Sequence, residues 1–390
     1  MTMIDGEIAP GFEAVREAFA ANFAQYGDIG AAVCVYQHGR PVVDLWGGVA
    51  DQETGRAWTR DTLQLVYSAT KGTIATAAHM LVERGLLDLD APVAKYWPEF
   101  AANGKAEIPV RWLLSHQAGL VALDRPLPLS DVLAWDPMAA ALAAQRPHWT
   151  PGTAHGYHGR TWGWLVGEVI RRVSGRMPGR FFADEIAGPL GLDFFIGLPE
   201  KERGRVSRMV YQQPPVDLTD IPAESIPEEL REQAAAWSDP NSLSNRAFAV
   251  TDPAAIDFDS AEVQAAELPS SNGIGTARAL ARMYAALIGE VDGVRLLTPE
   301  TLTSATEEQA SGKDLVMLFP SRFGTGYMLP TPDNRMTGPN AFGHTGRGGS
   351  LAFADPEHGI AFAYVMNHIV SAPGDARATA LAEAVRRSVA

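Results

Sequence analysis

A serine and a lysine stand three positions apart at the start of an apolar, alanine-rich stretch. Ser68 and Lys71 belong to the sequence SATK, which is followed by GTIATAAHMLVERG. At this spacing two side chains share one face of a helix, and a serine in the first turn lies beside unpaired N–H groups and the positive end of the helix dipole. Both favour negative charge on its oxygen, and a partly buried, neutral lysine could take the proton. The pair could therefore be a nucleophile with its base.

A structural interpretation of the same pair needs nothing else in the chain. Ser68 could cap the helix while Lys71 extends into solvent. Two residue types at one spacing are weak evidence for chemistry, so the rest of the chain has to decide between the two interpretations.

Strand-like segments lie near both ends of the chain. The N-terminal pair, IGAAVCVYQ and PVVDLWGGVA, is joined by a short turn at 38–40, and the C-terminal pair, SLAFA and IAFAYVMN, by a turn at 355–359. Turns this short join antiparallel neighbours, which argues against a doubly wound parallel sheet. Between the two pairs the apolar periodicity is mostly helical.

Helices are predicted beside both strand pairs, at 11–25 and at the C-terminus, and Gly85 is placed to end the helix that follows SATK. The predicted fold class is α+β, with one antiparallel sheet flanked by N- and C-terminal helices and an inserted, mostly helical domain. The predicted division assigns 1–75 and 290–390 to the sheet domain. It assigns 76–289 to the helical domain with pocket-forming loops.

Composition and charge limit the range of partners. The chain has 390 residues and a net charge of −14, which argues against nucleic acid and anionic membranes as partners. The N-terminal residues lack the regions of a signal peptide, and no apolar stretch approaches the roughly 20 residues that span a bilayer. We therefore expect a cytoplasmic protein that acts on a small molecule; its oligomeric state stays open.

Three further motifs follow SATK in order. PVRWLLSHQAGL occupies 109–120, TPGTAHGYHG places Tyr157 five residues after Gly152, and HTG at 344–346 leads into the C-terminal strand pair. With these motifs the chain resembles the serine β-lactamase and penicillin-binding-protein superfamily, and most of all its class C β-lactamase-like branch, the family VIII carboxylesterases. The resemblance covers nearly the whole chain and implies a β-lactamase/transpeptidase-like fold.

The resemblance also implies roles for individual residues. Ser68 would be the acylated nucleophile, and Lys71 and Tyr157 would act as base and proton shuttle. His344-Thr345-Gly346 stands in the place of the family's Lys-Thr-Gly strand and would contact the substrate. The backbone N–H groups of Ser68 and Arg347 would hold the oxyanion. No cofactor and no metal are implied.

One position departs from the family pattern. Class C β-lactamases carry Tyr-x-Asn, whereas YHG places Gly159 at the position of the asparagine. That asparagine helps to hold the amide side chain of a β-lactam. Its absence argues against antibiotic hydrolysis and leaves ester hydrolysis unaffected.

Other residues with chemical potential receive structural interpretations. The one cysteine, Cys34, lies in an apolar run and is expected in the core. His116 is expected to brace a turn. His155 and His158 have HxxH spacing, but no third ligand is suggested and HExxH is absent, so we expect no metal there. No Gly-x-Ser-x-Gly occurs, which argues against an α/β-hydrolase nucleophile elbow.

These inferences favour a serine carboxylesterase that hydrolyses small, short-chain esters through an acyl-Ser68 intermediate. The alternative is a β-lactamase, D-alanyl-D-alanine peptidase or amide hydrolase of the same fold, and acyl transfer to an alcohol stays open. A non-catalytic ligand sensor is less favoured, because binding alone does not require a proton shuttle. We expect the pocket walls in the irregular stretches 121–150 and 199–270.

Overall fold

An antiparallel sheet built from both ends of the chain organises the fold. The computed structural model describes residues 2–211, 227–252, 256–332, 334, 336–370 and 375–389. The main sheet has the strand order β1-β3-β2-β13-β12-β11, and β4 pairs with the end of β3. Strand β13, from the C-terminal half, pairs antiparallel with β2, so that Cys34 lies opposite Ala363. The predicted α+β fold with a sheet from both termini is confirmed.

The strands in the described part of the chain are β1 (Ile4–Ile8), β2 (Gly30–Gln37), β3 (Arg40–Asp51), β4 (Arg56–Ala57), β5 (Gln64–Leu65), β6 (Phe194–Phe195), β7 (Val210–Tyr211), β8 (Ile274–Gly275), β9 (Ala310–Lys313), β10 (Pro320–Phe323), β11 (Phe342–Thr345), β12 (Leu351–Asp355), β13 (Ile360–Met366) and β14 (His368–Ile369).

The α-helices of the same residues are α1 (Glu13–Gln25), α2 (Thr70–Glu83), α3 (Val110–Leu114), α4 (Leu129–Leu133), α5 (Asp136–Ala144), α6 (Trp162–Ser174), α7 (Pro178–Phe182), α8 (Gly188–Leu190), α9 (Glu228–Ser238), α10 (Leu243–Arg246), α11 (Ala261–Ala265), α12 (Ala277–Ile288), α13 (Pro299–Thr306) and α14 (Arg377–Val389). Short 3₁₀ helices occupy Tyr67–Ala69, Val93–Lys95, Pro98–Ala101 and Glu200–Arg205, and Ala183–Ala187 forms a π-helical turn.

Helices cover both faces of the sheet. Alternate residues of β2, including Val33 and Val35, join the core cluster that contains α1 and α14. Cys34 faces the other way, fully buried as expected, in the larger core cluster. On that face α12 packs against β2, β12 and β13. The alternation follows from the two-residue period of a strand, which sends successive side chains to opposite faces.

The turns and helix ends predicted from the sequence are present. His38 and Gly39, which join β2 to β3, both have positive φ, as a tight hairpin turn requires. Gly85 follows the end of α2 with a φ of +68°, a conformation in which glycine ends helices at little cost.

The helical half of the chain gathers around α2, which packs against α6 and α7. Helix α12 was assigned to this half by the predicted division, although it lies against the sheet. The division of the chain into two domains stays a prediction. In the part of the chain that the structure describes, no helix combines the length and the apolarity needed to cross a membrane.

Helix α2 and helix α12 approach each other at Gly72. A Cβ atom at this position would overlap the hydroxyl oxygen of Tyr284, a buried atom without a hydrogen-bond partner among the described residues. The absence of a side chain at position 72 therefore allows the helix that carries Ser68 and Lys71 to pack beside the helix that covers the sheet.

We expect Gly72→Ala to lower the free energy of unfolding. Overpacking costs about 1–3 kcal/mol, which exceeds the roughly 1 kcal/mol that alanine gains over glycine inside a helix. Chemical denaturation should show the loss, and adding Tyr284→Phe should recover most of it. Gly204→Ala is the matched control, because a Cβ atom there meets nothing within 4 Å. A Gly72→Ala protein as stable as the wild type would contradict the close approach.

Candidate active site

Ser68 lies in a 3₁₀ turn, Tyr67–Ala69, directly before α2. Ala69 is the N-cap residue of α2, and no side chain caps the helix. The interpretation of Ser68 as a helix cap is therefore wrong. Its Oγ atom lies 3.2 Å from Nζ of Lys71, in the first turn of α2.

Tyr67, the residue before the serine, has an unusual backbone conformation. Its φ of +47° lies in the left-handed region, which costs a non-glycine residue roughly 1–2 kcal/mol. The Tyr67 phenol shares a 2.9 Å hydrogen bond with that of Tyr211, and its ring packs edge-on against Phe258 at 5.2 Å between centroids. Side-chain contacts of Tyr67 thus hold the strained turn that contains Ser68. The SATK motif did not indicate this strained conformation.

The amine of Lys71 is fully buried. Besides Ser68, its Nζ atom lies 2.9 Å from the carbonyl oxygen of Gly159 and 3.1 Å from that of Ser270. Burial lowers the pKa of Lys71 well below its usual value, and the positive charge of Arg160 lowers it further. A neutral amine has two hydrogens and one lone pair. It can donate to the two carbonyls and keep the lone pair for the Ser68 hydroxyl.

Tyr157 is buried beside this pair, with Nζ of Lys71 4.8 Å from its ring centroid. Its backbone N–H donates to the Asp314 carboxylate at 3.0 Å, and its ring packs against His116 at 5.0 Å between centroids. Burial raises the pKa of the phenol well above its usual value, and interaction with the Ser68 hydroxyl opposes only part of the rise. Tyr157 is therefore a protonated phenol at neutral pH.

Strand β11 brings His344 and Thr345 to the same site. The His344 ring lies 5.9 Å from that of Tyr157, and its Nδ1 atom donates to the Thr345 carbonyl at 2.7 Å. That contact fixes the proton on Nδ1. The Nε2 atom is buried without a partner among the described residues. Burial lowers the pKa of His344 to about 3, so its imidazole is neutral. The lysine of a Lys-Thr-Gly strand would place a cation at this position.

The turn after β11 reaches the segment before Ser68 through a close backbone contact. A Cβ atom on Gly346 would overlap the carbonyl oxygen of Val66, two residues before Ser68. Only glycine allows this approach. The next residue, Arg347, has a backbone N–H that makes no hydrogen bond to any described residue. The role of this N–H and of the Ser68 N–H in holding an oxyanion stays a prediction.

Ser68, Tyr157, Thr345 and Arg347 line a cavity of about 750 Å³, whereas the buried Lys71 and His344 do not. From the stretch 199–270, Trp237 and Phe248 form part of its wall, as expected. None of the residues 121–150 lines it, so that expectation is wrong: side chains of this stretch such as Leu142 are buried in the core instead. The segment 314–334 supplies much of the wall, and the sequence analysis missed it. Its only signal was an apolar run without helical or strand periodicity.

Phe248 occupies the space in front of Gly159. A Cβ atom at position 159 would lie 2.5 Å from Cε1 of Phe248. The same ring contacts Tyr157 at 6.3 Å and Trp237 at 5.7 Å between centroids. The departure from Tyr-x-Asn therefore removes an amide and also fills its place with an aromatic ring.

The other three histidines considered in the sequence analysis form hydrogen bonds within the protein. His116 is buried, and its Nδ1 atom accepts the backbone N–H of His158, as a bracing role requires. His158 uses both ring nitrogens, with Nε2 accepting the Leu120 N–H and Nδ1 donating to the Gly156 carbonyl. His155 shares a 3.0 Å hydrogen bond with Ser321.

Comparison with known proteins assigns the chain to a family. The model of the Beta-lactamase family matches residues 15–386, nearly the whole chain. The chain belongs to the Beta-lactamase family. The resemblance inferred from the motifs is thereby confirmed.

Relatives of this Beta-lactamase family member include esterases. It is 40% identical over 374 residues to the esterase/beta-lactamase LipL of Mycobacterium tuberculosis, covering 94% of this chain and 83% of the relative. A crystal structure described as a family VIII carboxylesterase matches with a TM-score of 0.85 and 38% identity, covering 99% of this chain and 100% of the other. A penicillin-binding protein homologue from Caulobacter crescentus matches with the same score and coverage at 39% identity.

We expect the Lys71 amine of this Beta-lactamase family member to have a pKa far below 10.5, the usual value for a lysine side chain. A pH titration followed by NMR with ¹³C-labelled lysine should measure this pKa. The chain has only five lysines, and the signal that is lost in Lys71→Arg belongs to Lys71. Arg160→Gln should raise the Lys71 pKa because it removes a neighbouring positive charge. Arg40→Gln, an exposed arginine in a hairpin, is the matched control. A Lys71 signal that titrates near 10.5 would show that the amine is charged.

Proposed function

We propose that this chain is a serine carboxylesterase that hydrolyses small, short-chain carboxylic esters through an acyl-Ser68 intermediate. The observation that carries the proposal is the buried Lys71 amine, 3.2 Å from Ser68 Oγ and held by two backbone carbonyls at the edge of a cavity. The names of the relatives support it: LipL is called an esterase/beta-lactamase, and a structure of the same fold is described as a family VIII carboxylesterase.

Acylation begins at the serine. Neutral Lys71 takes the hydroxyl proton while Ser68 Oγ attacks the ester carbonyl carbon. The backbone N–H groups of Ser68 and Arg347 hold the oxyanion that forms. The phenol of Tyr157 donates its proton to the leaving alkoxide and regains one from Lys71. The carbon–oxygen bond of the ester then breaks, leaving the alcohol and an acyl-Ser68.

Deacylation repeats these steps with water. The water that attacks the acyl carbon gives a proton to the Tyr157 oxygen while the phenol passes its own proton to neutral Lys71, and the same N–H groups hold the second oxyanion. Ser68 leaves with its proton restored, and the acid is released. Thr345 lines the cavity, whereas His344 is buried and does not line it, so contact of His344 with the substrate stays a prediction.

The alternative, a β-lactamase or D-alanyl-D-alanine peptidase, shares all of these steps. The observation against it is the Phe248 ring, which fills the place where the class C pattern has an amide side chain. A ligand sensor is disfavoured by the neutral amine beside the serine, because binding alone needs no proton acceptor.

We expect Ser68→Ala to reduce ester turnover by about 10³-fold or more, because it removes the atom that the acyl group binds. The fold should persist, since the Ser68 side chain caps no helix. A p-nitrophenyl phosphonate should modify the Ser68 peptide in mass spectrometry. Ser271→Ala, which removes another cavity serine, should still form this adduct. Modification at another serine would contradict the assignment.

We expect p-nitrophenyl acetate and butyrate to be better substrates than penicillins or cephalosporins. One missing amide hydrogen bond is worth about 0.5–1.5 kcal/mol, or roughly tenfold in kcat/KM. Gly159→Asn alone should impair esterase activity, because its Cβ meets Phe248. Gly159→Asn with Phe248→Ala should raise the β-lactam-to-ester ratio of kcat/KM.

Phe248→Ala alone is the control for the space that the double variant opens. If Phe248→Ala raises the β-lactam-to-ester ratio of kcat/KM as much as the double variant does, the asparagine amide at position 159 has no role. A wild-type kcat/KM for a penicillin equal to or above that for p-nitrophenyl butyrate would support the β-lactamase alternative instead.

A further inference from the structure

A guanidinium group lines the cavity without a counter-charge from the described part of the chain. The Arg160 side chain makes no hydrogen bond or ion pair within the described ranges, and its Nε atom is completely buried and unpartnered. Its group packs over the Phe258 ring, with 4.9 Å between the Cζ atom and the ring centroid. Burying an uncompensated charge is costly. By contrast Arg377, which is fully buried, pairs with both Asp28 and Asp375.

A second cation belongs to the same cavity. Arg347 lines it, and the described residues provide no ion-pair partner for this side chain either. Burial, together with the charge of Arg347, lowers the pKa of Arg160 to about 10, so Arg160 is still a cation at neutral pH. Two like charges that face one cavity repel each other, and an anion between them would relieve the repulsion.

The acidic groups of the cavity are already occupied. Asp314 accepts the backbone N–H groups of Tyr157, Val316 and Met317. Asp375 is paired with Arg377. Neither carboxylate is available to the two arginines, and the positive charge of the cavity is therefore open to a ligand.

We propose that Arg160, with Arg347, binds a carboxylate on the substrate, so that the preferred esters carry an anionic group. The nearest chemical class is the monoester of a short dicarboxylic acid. Arg160 interacts electrostatically with both Lys71 and Tyr157, so the carboxylate would lie a few carbons from the ester carbonyl. This inference rests on the proposed esterase function and names its substrate class.

The test compares charged and neutral esters in the same protein. The kcat/KM for mono-p-nitrophenyl glutarate is divided by that for its neutral methyl ester. A second pair, 4-carboxyphenyl butyrate and 4-carbamoylphenyl butyrate, places the carboxylate on the alcohol part. We expect one of the two ratios to exceed about ten in the wild type and to fall as salt is added, because charge attraction is screened.

The variants assign the preference to Arg160. Arg160→Gln should lower the ratio about tenfold or more, and Arg160→Lys should keep part of it. Arg40→Gln removes the same charge at an exposed position and should keep the wild-type ratio. Each ratio is internal to one protein, so a general loss of activity does not affect it. Ratios near one in the wild type, or unchanged in Arg160→Gln, would overturn the inference.

Direct binding separates this inference from the esterase proposal. Calorimetry should show that the wild type binds glutarate and that Arg160→Gln binds it at least tenfold more weakly, with glutaramide as the neutral control. If the protein hydrolyses the neutral ester but does not bind glutarate, only the anion site fails. If it binds glutarate through Arg160 but hydrolyses no ester, the esterase proposal fails and the anion site stands.

Discussion

The burial of one amine is the constraint on which the site depends. Lys71 is removed from water without a carboxylate partner among the described residues, and burial favours the neutral, hydrogen-bonded form of such an amine. Its partners are the adjacent Ser68 turn and two segments distant in the chain: the loop after Tyr157 that holds Gly159, and the loop that holds Ser270. The same contacts that make the amine a base also bring these segments together.

Two close approaches connect this site to the sheet. The carbonyl of Val66 meets the backbone of Gly346, and Gly72 lies against the Tyr284 hydroxyl. In both cases glycine removes the side chain that would separate the elements. The first contact places the end of strand β11 beside the Ser68 turn, and the second fixes helix α2 against the helix that covers the sheet. The position of the serine is thus set by backbone packing from both directions.

The electrostatics of the cavity divide it into two regions. Around the serine the titratable groups are neutral, since burial depresses the pKa of Lys71 and of His344 and raises that of the Tyr157 phenol. Arg160, by contrast, keeps its charge. Proton transfer and charge recognition are then carried by different residues, with the Phe248 ring forming the wall beside them.

The sequence by itself determined the fold class, the two terminal hairpins, the helix that follows SATK and the order of the family motifs. Short turns, two-residue alternation and a helix-ending glycine are local signals, so they are readable without coordinates. The left-handed Tyr67, the Phe248 ring over Gly159, the wall from 314–334 and the unpaired Arg160 were decided by tertiary structure. Each of these depends on contacts between residues far apart in the chain, and neither periodicity nor motif spacing encodes such contacts.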